Sequence, residues 1–190
     1  MIEGFNCPNC GAPADHVGAK ACNFCSTPFL LANSRSNSSL TNETLGKYAD
    51  LYKRVTKDDP DYFDSQISLV LIYIKRSLPQ LAENLSKKIL EEFPDHSDAY
   101  LWRAISILKS CEIRKLKIAQ AKEASQLIYT GNALTSEDGR SDFIYVAKVL
   151  KQQYFNQNDV IPPDQLIEVL EGDCMESDHS SEALLPSILG

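Results

Sequence analysis

Four cysteines within the first twenty-five residues carry the clearest chemistry of this chain. They form two C-x-x-C pairs, Cys7-Pro-Asn-Cys10 and Cys22-Asn-Phe-Cys25, with eleven residues between the pairs. A C-x-x-C turn aims two thiolates at one point, and two such turns complete the tetrahedral four-sulfur shell that zinc prefers. Gly11 supplies positive-φ freedom behind Cys10, and Pro8 stiffens the first turn. Iron in a rubredoxin-like site uses the same ligands, so the sulfur set leaves iron open as a minority alternative to zinc. A disulfide framework needs an oxidising compartment, and Met1-Ile-Glu-Gly-Phe5 has neither the basic start nor the apolar run of a secretory signal. A thioredoxin-like redox centre needs one pair at a helix start in a βαβ unit, whereas two pairs argue for metal. His16, between the pairs, reads as a surface residue beside four thiolates. A site with all four ligands from protein is closed, and a closed site is structural: one Zn²⁺ held by Cys7, Cys10, Cys22 and Cys25.

The residues around these cysteines resemble the short bacterial-type zinc ribbon, whose pattern runs C-P-x-C-G-A-x, a loop ending in G-A-x, then C-x-x-C-G-T-x. Cys7-Pro-Asn-Cys10-Gly-Ala-Pro and Gly18-Ala-Lys-Ala-Cys22-Asn-Phe-Cys25-Ser-Thr-Pro-Phe29 follow it over about residues 4–30. Ser26 is the departure, standing where the family has glycine; this bears on the shape of the second turn and not on the ligand set. The resemblance implies a small β-hairpin module held by zinc. Ribbons of this kind bind proteins in some families and nucleic acid in others.

Catalytic chemistry finds little to stand on. His16, His96 and His179 fall in a loop, at a helix start and in a tail, none beside a nucleophile, and phosphate-binding glycine loops, H-E-x-x-H and G-x-S-x-G are absent from the sequence. Cys111 reads as a small packed hydrophobe, and Cys174 sits in an acidic stretch that disfavours its thiolate. Asp58-Asp59 and Glu91-Glu92 read as solvated acids at helix ends. The expectation is a protein that is not an enzyme and takes no small-molecule substrate.

These elements need a scaffold, and 190 residues with 43% hydrophobic content can bury one sizeable core plus a small appendage. The longest apolar run, Leu69–Ile74, is far below the ~20 residues that span a bilayer, so no membrane association is expected and the protein reads as cytoplasmic. A net charge of −7 disfavours generic phosphate-backbone binding. The pattern divides into a zinc ribbon over 1–32, an Asn/Ser-rich linker over 33–42, a helical repeat domain over 43–171, and an acidic tail with an apolar end over 172–190. The linker is expected to separate the ribbon's core from the helical one. Helices are expected over 43–57, 61–76, 79–93, 97–110, 112–129, 141–155 and 164–171, with breaks at Pro60, Pro79, Pro94, Gly131 and Pro162-Pro163.

Pro60 and Pro94 stand 34 residues apart, the period of a tetratricopeptide helix pair. That offset aligns Asp64 with Asp98, Ile67 with Leu101, Leu71 with Ile105 and Ile74 with Leu108. The stretch 81–104 resembles a tetratricopeptide junction, with Ala82 and Ala104 as small crossing residues, Pro94 as terminator and Tyr100 as the large aromatic. The fold class expected is therefore mostly α: tetratricopeptide-like antiparallel helix pairs behind a small β zinc ribbon. An ordinary antiparallel bundle is the competing reading. By the same alignment, Asp64, Ile67, Leu71, Ile74, Asp98, Leu101, Ile105 and Leu108 form an inner face suited to an apolar peptide or partner helix, unless the chain's own helices cover it.

The function expected from these parts is a non-catalytic protein–protein interaction adaptor or scaffold subunit, with a surface on which two copies can also pair. The alternative is a nucleic-acid-associated accessory factor using the ribbon and the basic helix 112–129, where Arg114-Lys-Leu-Lys117 and Lys122 cluster. Leu184-Leu-Pro-Ser-Ile-Leu189 is too short for an independent helix and is interrupted by Pro186. It reads either as a docking segment, for a partner or for the apolar face around Leu71, Ile74, Leu101 and Ile105, or as a frayed end.

Overall fold

The computed structural model describes residues 6–13, 21–29, 40–172 and 184–189. The chain is mostly helical and divides into two compact units, Met1–Leu78 and Pro79–Gly190.

The first unit holds the cysteine turns and two helices that pack on each other, α1 (Asn42–Tyr52) and α2 (Tyr62–Lys75). Thr41 starts α1, its Oγ1 accepting the Thr44 backbone N–H at 3.2 Å. Leu45, Tyr48, Ala49 and Tyr52, spaced i, i+3, i+4, i+7, are its buried stripe. Leu69–Ile74, which by itself could pass for a buried strand, lies inside α2. The chain leaves α2 through Ser77 at φ 56, and Pro79 opens the next helix at a position where a missing N–H costs nothing.

The second unit contains α3 (Pro79–Glu92), α4 (Ser97–Leu108), a 3-10 turn (Ile113–Lys115), α5 (Ile118–Leu134), α6 (Glu137–Leu150) running into a π-helical turn (Lys151–Phe155), α7 (Asp164–Glu171) and α8 (Leu184–Leu189). Every residue of α4 from Leu101 to Leu108 is buried, because α3 and α5 both pack against it. Close approach is possible because Ala82, Ala104, Ala121 and Ala124 have no solvent exposure at all. Trp102, the only tryptophan, is buried in α4, while Tyr100 is half-buried. Arg103 is buried too. Its guanidinium donates to the Glu83 carbonyl at 3.1 Å and to Glu123 Oε1 at 2.9 Å, so one side chain joins α3, α4 and α5.

Four expectations change. The unit boundary at Leu78–Pro79 falls between the helices of the first expected repeat pair: α2 packs with α1 and α3 packs with α4. The expected helix 112–129 is instead a 3-10 turn followed by α5, whose start is marked by the Lys117 backbone N–H bound to Gln120 Oε1 at 3.0 Å. Gly131 does not end this helix. It lies within it, where a Cβ would meet the Phe143 ring at 2.4 Å and Tyr100 Cβ at 2.8 Å. Last, residues 184–189 are helical, with Pro186 in the first turn, where its missing N–H has no partner to lose. They pack on α6. No helix among the described residues is long and apolar enough to cross a membrane.

Candidate metal centre

The two cysteine turns are built alike, one fifteen residues after the other. In the first, Cys7 N–H donates to the Ala12 carbonyl at 2.7 Å and Gly11 N–H to the Cys7 carbonyl at 2.8 Å. In the second, Cys22 N–H donates to the Thr27 carbonyl at 2.9 Å and Ser26 N–H to the Cys22 carbonyl at 2.8 Å. Isolated antiparallel bridges, Asn6 with Pro13 and Ala21 with Pro28, close each turn. These bridges are the sole β-type pairing among the described residues, which contain no strand; the loop expected to complete a hairpin module, 14–20, lies outside them. Each turn needs one left-handed residue behind its second cysteine. Gly11 supplies it at φ 77 and Ser26 at φ 55, so serine accepts the conformation that the zinc-ribbon pattern assigns to glycine.

The turns bring Cys7, Cys10, Cys22 and Cys25 together with all four sulfurs within 4.8 Å of one another. Cys7 Sγ lies 3.7 Å from Cys25 Sγ, and Cys10 Sγ lies 3.6 Å from Cys22 Sγ. A tetrahedral ion with ~2.3 Å metal–sulfur bonds needs sulfur pairs ~3.8 Å apart. The four cysteines thus fit one metal ion. Cys7 and Cys22 are buried, Cys25 is half-buried and Cys10 is exposed, so the cluster opens on one side to water.

Donors around the sulfurs favour negative charge. Phe24 N–H approaches Cys22 Sγ at 3.4 Å, and Thr27 Oγ1 lies 3.1 Å from Cys25 Sγ. Asn9 Nδ2 donates to Thr27 Oγ1 at 2.9 Å, tying the first turn to the second. The Thr27 hydroxyl and then its backbone N–H lower Cys25 to about 6. For Cys10, the Ala12 backbone N–H pulls the other way but is outweighed by Cys25, desolvation, Cys22 and Cys7, which push it up to about 12. Burial raises Cys7. Four thiolates this close repel one another, and a divalent cation removes that repulsion.

The centre is anchored to α1 by two tyrosines that sequence reasoning missed. Tyr48 Oη donates to the Pro28 carbonyl at 2.8 Å, and Tyr52 Oη donates to the Phe29 carbonyl. Both rings are fully buried, with centroids 5.8 Å apart. Burial, then Tyr52 and the nearby cysteines, hold the Tyr48 phenol far above its ordinary value. Phe29 joins Cys7 and Cys22 in a small apolar cluster. The expected separation between ribbon and helices is therefore absent at this point: the exit of the second turn and α1 share one unit. The signal was present as tyrosines at i, i+4 on the buried face of a helix, but their acceptors lie twenty or more residues away.

The expected partner face is differently placed. Ile67, Leu71, Leu101, Ile105 and Leu108 are buried, Asp64 and Ile74 are half-buried, and Asp98 is exposed. Five of the six aliphatic members are thus packed inside the chain, Ile74 being the half-buried one. In the basic cluster, Arg114 Nε and Lys115 Nζ both bind Glu112 at 3.0 Å, and Lys115 before Arg114 lowers the Glu112 carboxyl. Phe24, between the second pair of cysteines, is 67% exposed.

Comparison with protein-family models, curated proteins and solved structures finds no match for this chain.

Proposed function

We propose that this chain is a non-catalytic protein-interaction adaptor of the cytoplasm, in which one structural zinc ion shapes the first unit and the helices present the binding surface. The observation that carries the reading is the closed sulfur set. Four protein thiolates fill a tetrahedral shell and leave no position for substrate or water, which is the arrangement of a structural ion and not of a catalytic one. Zinc is preferred to iron because it has no redox chemistry to manage and takes its geometry from the ligands alone. The likeness of the two turns to a zinc ribbon supports the same ion.

The helical part supports a scaffold role. Helices α3, α4 and α5 pack in series, each against the next, as helical arrays of the tetratricopeptide kind do. The nucleic-acid alternative draws less support, since Glu112 pairs with Arg114 and Lys115, two of the four cations on which it relied, and offsets one of their charges.

Affinity capture of the full chain from its native source, with and without nuclease, tests the proposal alongside metal analysis. A protein retained at stoichiometric level after nuclease treatment, with one zinc per chain, is the expected result. Capture that disappears with nuclease, or micromolar binding to DNA or RNA with a steep salt dependence, would overturn it in favour of the nucleic-acid reading.

A further inference from the structure

Helix α8 is where the structure says most about an unassigned surface. It has six residues, well below the length at which a helix holds itself in water, so its form is induced by what it packs on, chiefly α6. Leu185, Ile188 and Leu189 are buried and Pro186 is exposed, which makes a single aliphatic stripe at i, i+3, i+4. Residues 173–183, which connect α7 to α8, carry Asp173, Glu176, Asp178 and Glu182 and no lysine or arginine. Three buried aliphatic side chains are set against the ordering of six residues, and these contributions are close to balance. Beside Leu189 the surface of the described residues is concave. An open cavity of about 300 Å³ lies there, lined by the apolar Leu189, Leu108 and Ile113 and by the charged Lys109, Glu112 and Arg114.

We propose that the surface of α6 under α8 is a docking site for a short amphipathic helix, and that α8 occupies it as an internal stand-in until a partner displaces it. The stand-in defines the partner's chemistry: aliphatic residues at i, i+3 and i+4, followed by one further polar side chain placed to meet Lys109, Glu112 or Arg114 in the open cavity beside Leu189. Covalent linkage raises the local concentration of α8, so the site stays covered against weak competitors and opens to a segment that reaches the cavity as well. This deepens the adaptor reading and rests on it for the identity of the occupant as another protein.

A fluorescent peptide of residues 183–190 provides the probe. It is titrated into the full chain, into a chain ending at Gly172, and into a full-length Ile188→Asp variant. The truncated chain and the variant should bind the peptide with micromolar affinity, and the full chain at least tenfold more weakly because its own α8 competes. Equal binding to all three, or no binding to a truncated chain that keeps its helical signal, overturns the proposal. Loss of the helical signal in both altered chains makes α8 a permanent part of the core and overturns it as well. A concentration-dependent dimer of the full chain that Ile188→Asp abolishes would put a second copy in place of the partner and overturn the stand-in role. The peptide needs no cellular partner, so this proposal can fail while captured proteins persist, and the adaptor reading can fail while the site still takes the peptide.

Discussion

The cysteine turns and the second unit of this chain solve the problem of cohesion with different materials. Around the turns the contacts are sulfur, backbone and two phenols, and the local apolar cluster of Cys7, Cys22 and Phe29 is too small to hold them by burial, although α1 and α2 of the same unit bury an aliphatic core of their own. In the second unit, α4 is enclosed by helices that touch through alanines and one glycine, and burial does the holding. The difference teaches where each region is vulnerable: the turns to loss of the ion proposed for them, the second unit to the addition of a single carbon.

The largest expected effect follows from the ion. Structural zinc contributes roughly 10–16 kcal/mol of apparent binding free energy to modules of this type. A Cys22→Ser change, or strong chelation, should abolish stoichiometric metal and expose the amides of 6–13 and 21–29 to hydrogen exchange, while α3–α7 stay protected. Because Tyr48 and Tyr52 bind the exit of the second turn, α1 should lose protection together with the turns. Protection of α1 that survives metal loss would show that the contrast between the units is drawn in the wrong place.

Next comes the added carbon. Gly131→Ala places a Cβ 2.4 Å from the Phe143 ring and 2.8 Å from Tyr100 Cβ, in a core with no slack. Overpacking of this kind should cost about 2–3 kcal/mol in denaturant unfolding of the second unit, with metal content unchanged. A neutral outcome would mean that α5 and α6 are less closely packed than described.

Smaller effects test the anchor. Tyr52→Phe removes the hydroxyl that donates to the Phe29 carbonyl, for a loss of about 1–2 kcal/mol, measured as easier metal removal by a competing chelator. The smallest expected change is a gain. Ser26→Gly relieves a left-handed serine, worth ~1–2 kcal/mol, against an entropic cost of ~0.5–1 kcal/mol for the added glycine. The net of roughly 0.5–1 kcal/mol should appear as slower zinc exchange, whereas Gly11→Ser should do the reverse.

These outcomes bear on how much could be read from residues alone. The ligand set was legible because its rule is local: each pair of sulfurs is set by a four-residue turn, and only the meeting of the two turns is non-local. Helix positions were legible from apolar spacing and prolines, mostly within a few residues. Gly131 was misread because glycine serves equally as a stop and as a point of close approach, and only Phe143 and Tyr100 decide between them. Pro186 was misread for a related reason: proline breaks a helix in its interior but not in its first turn. The 34-residue offset suggested repeat pairs, yet nothing in it revealed that Leu78–Pro79 is a boundary between units, with α2 packed on α1 and α3 on α4. Tyr48 and Tyr52 stayed hidden because a phenol on a buried face does not announce its acceptor.

Trp102 gives the partition an optical handle. As the sole tryptophan, buried in α4, it places the ultraviolet emission most sensitive to packing entirely in the second unit. Charge-transfer absorption from thiolate to a substituted cobalt ion would arise entirely in the first. Two colours, recorded in one heating experiment, would then follow two meltings, and the interval between them would measure how far one unit's order depends on the other's.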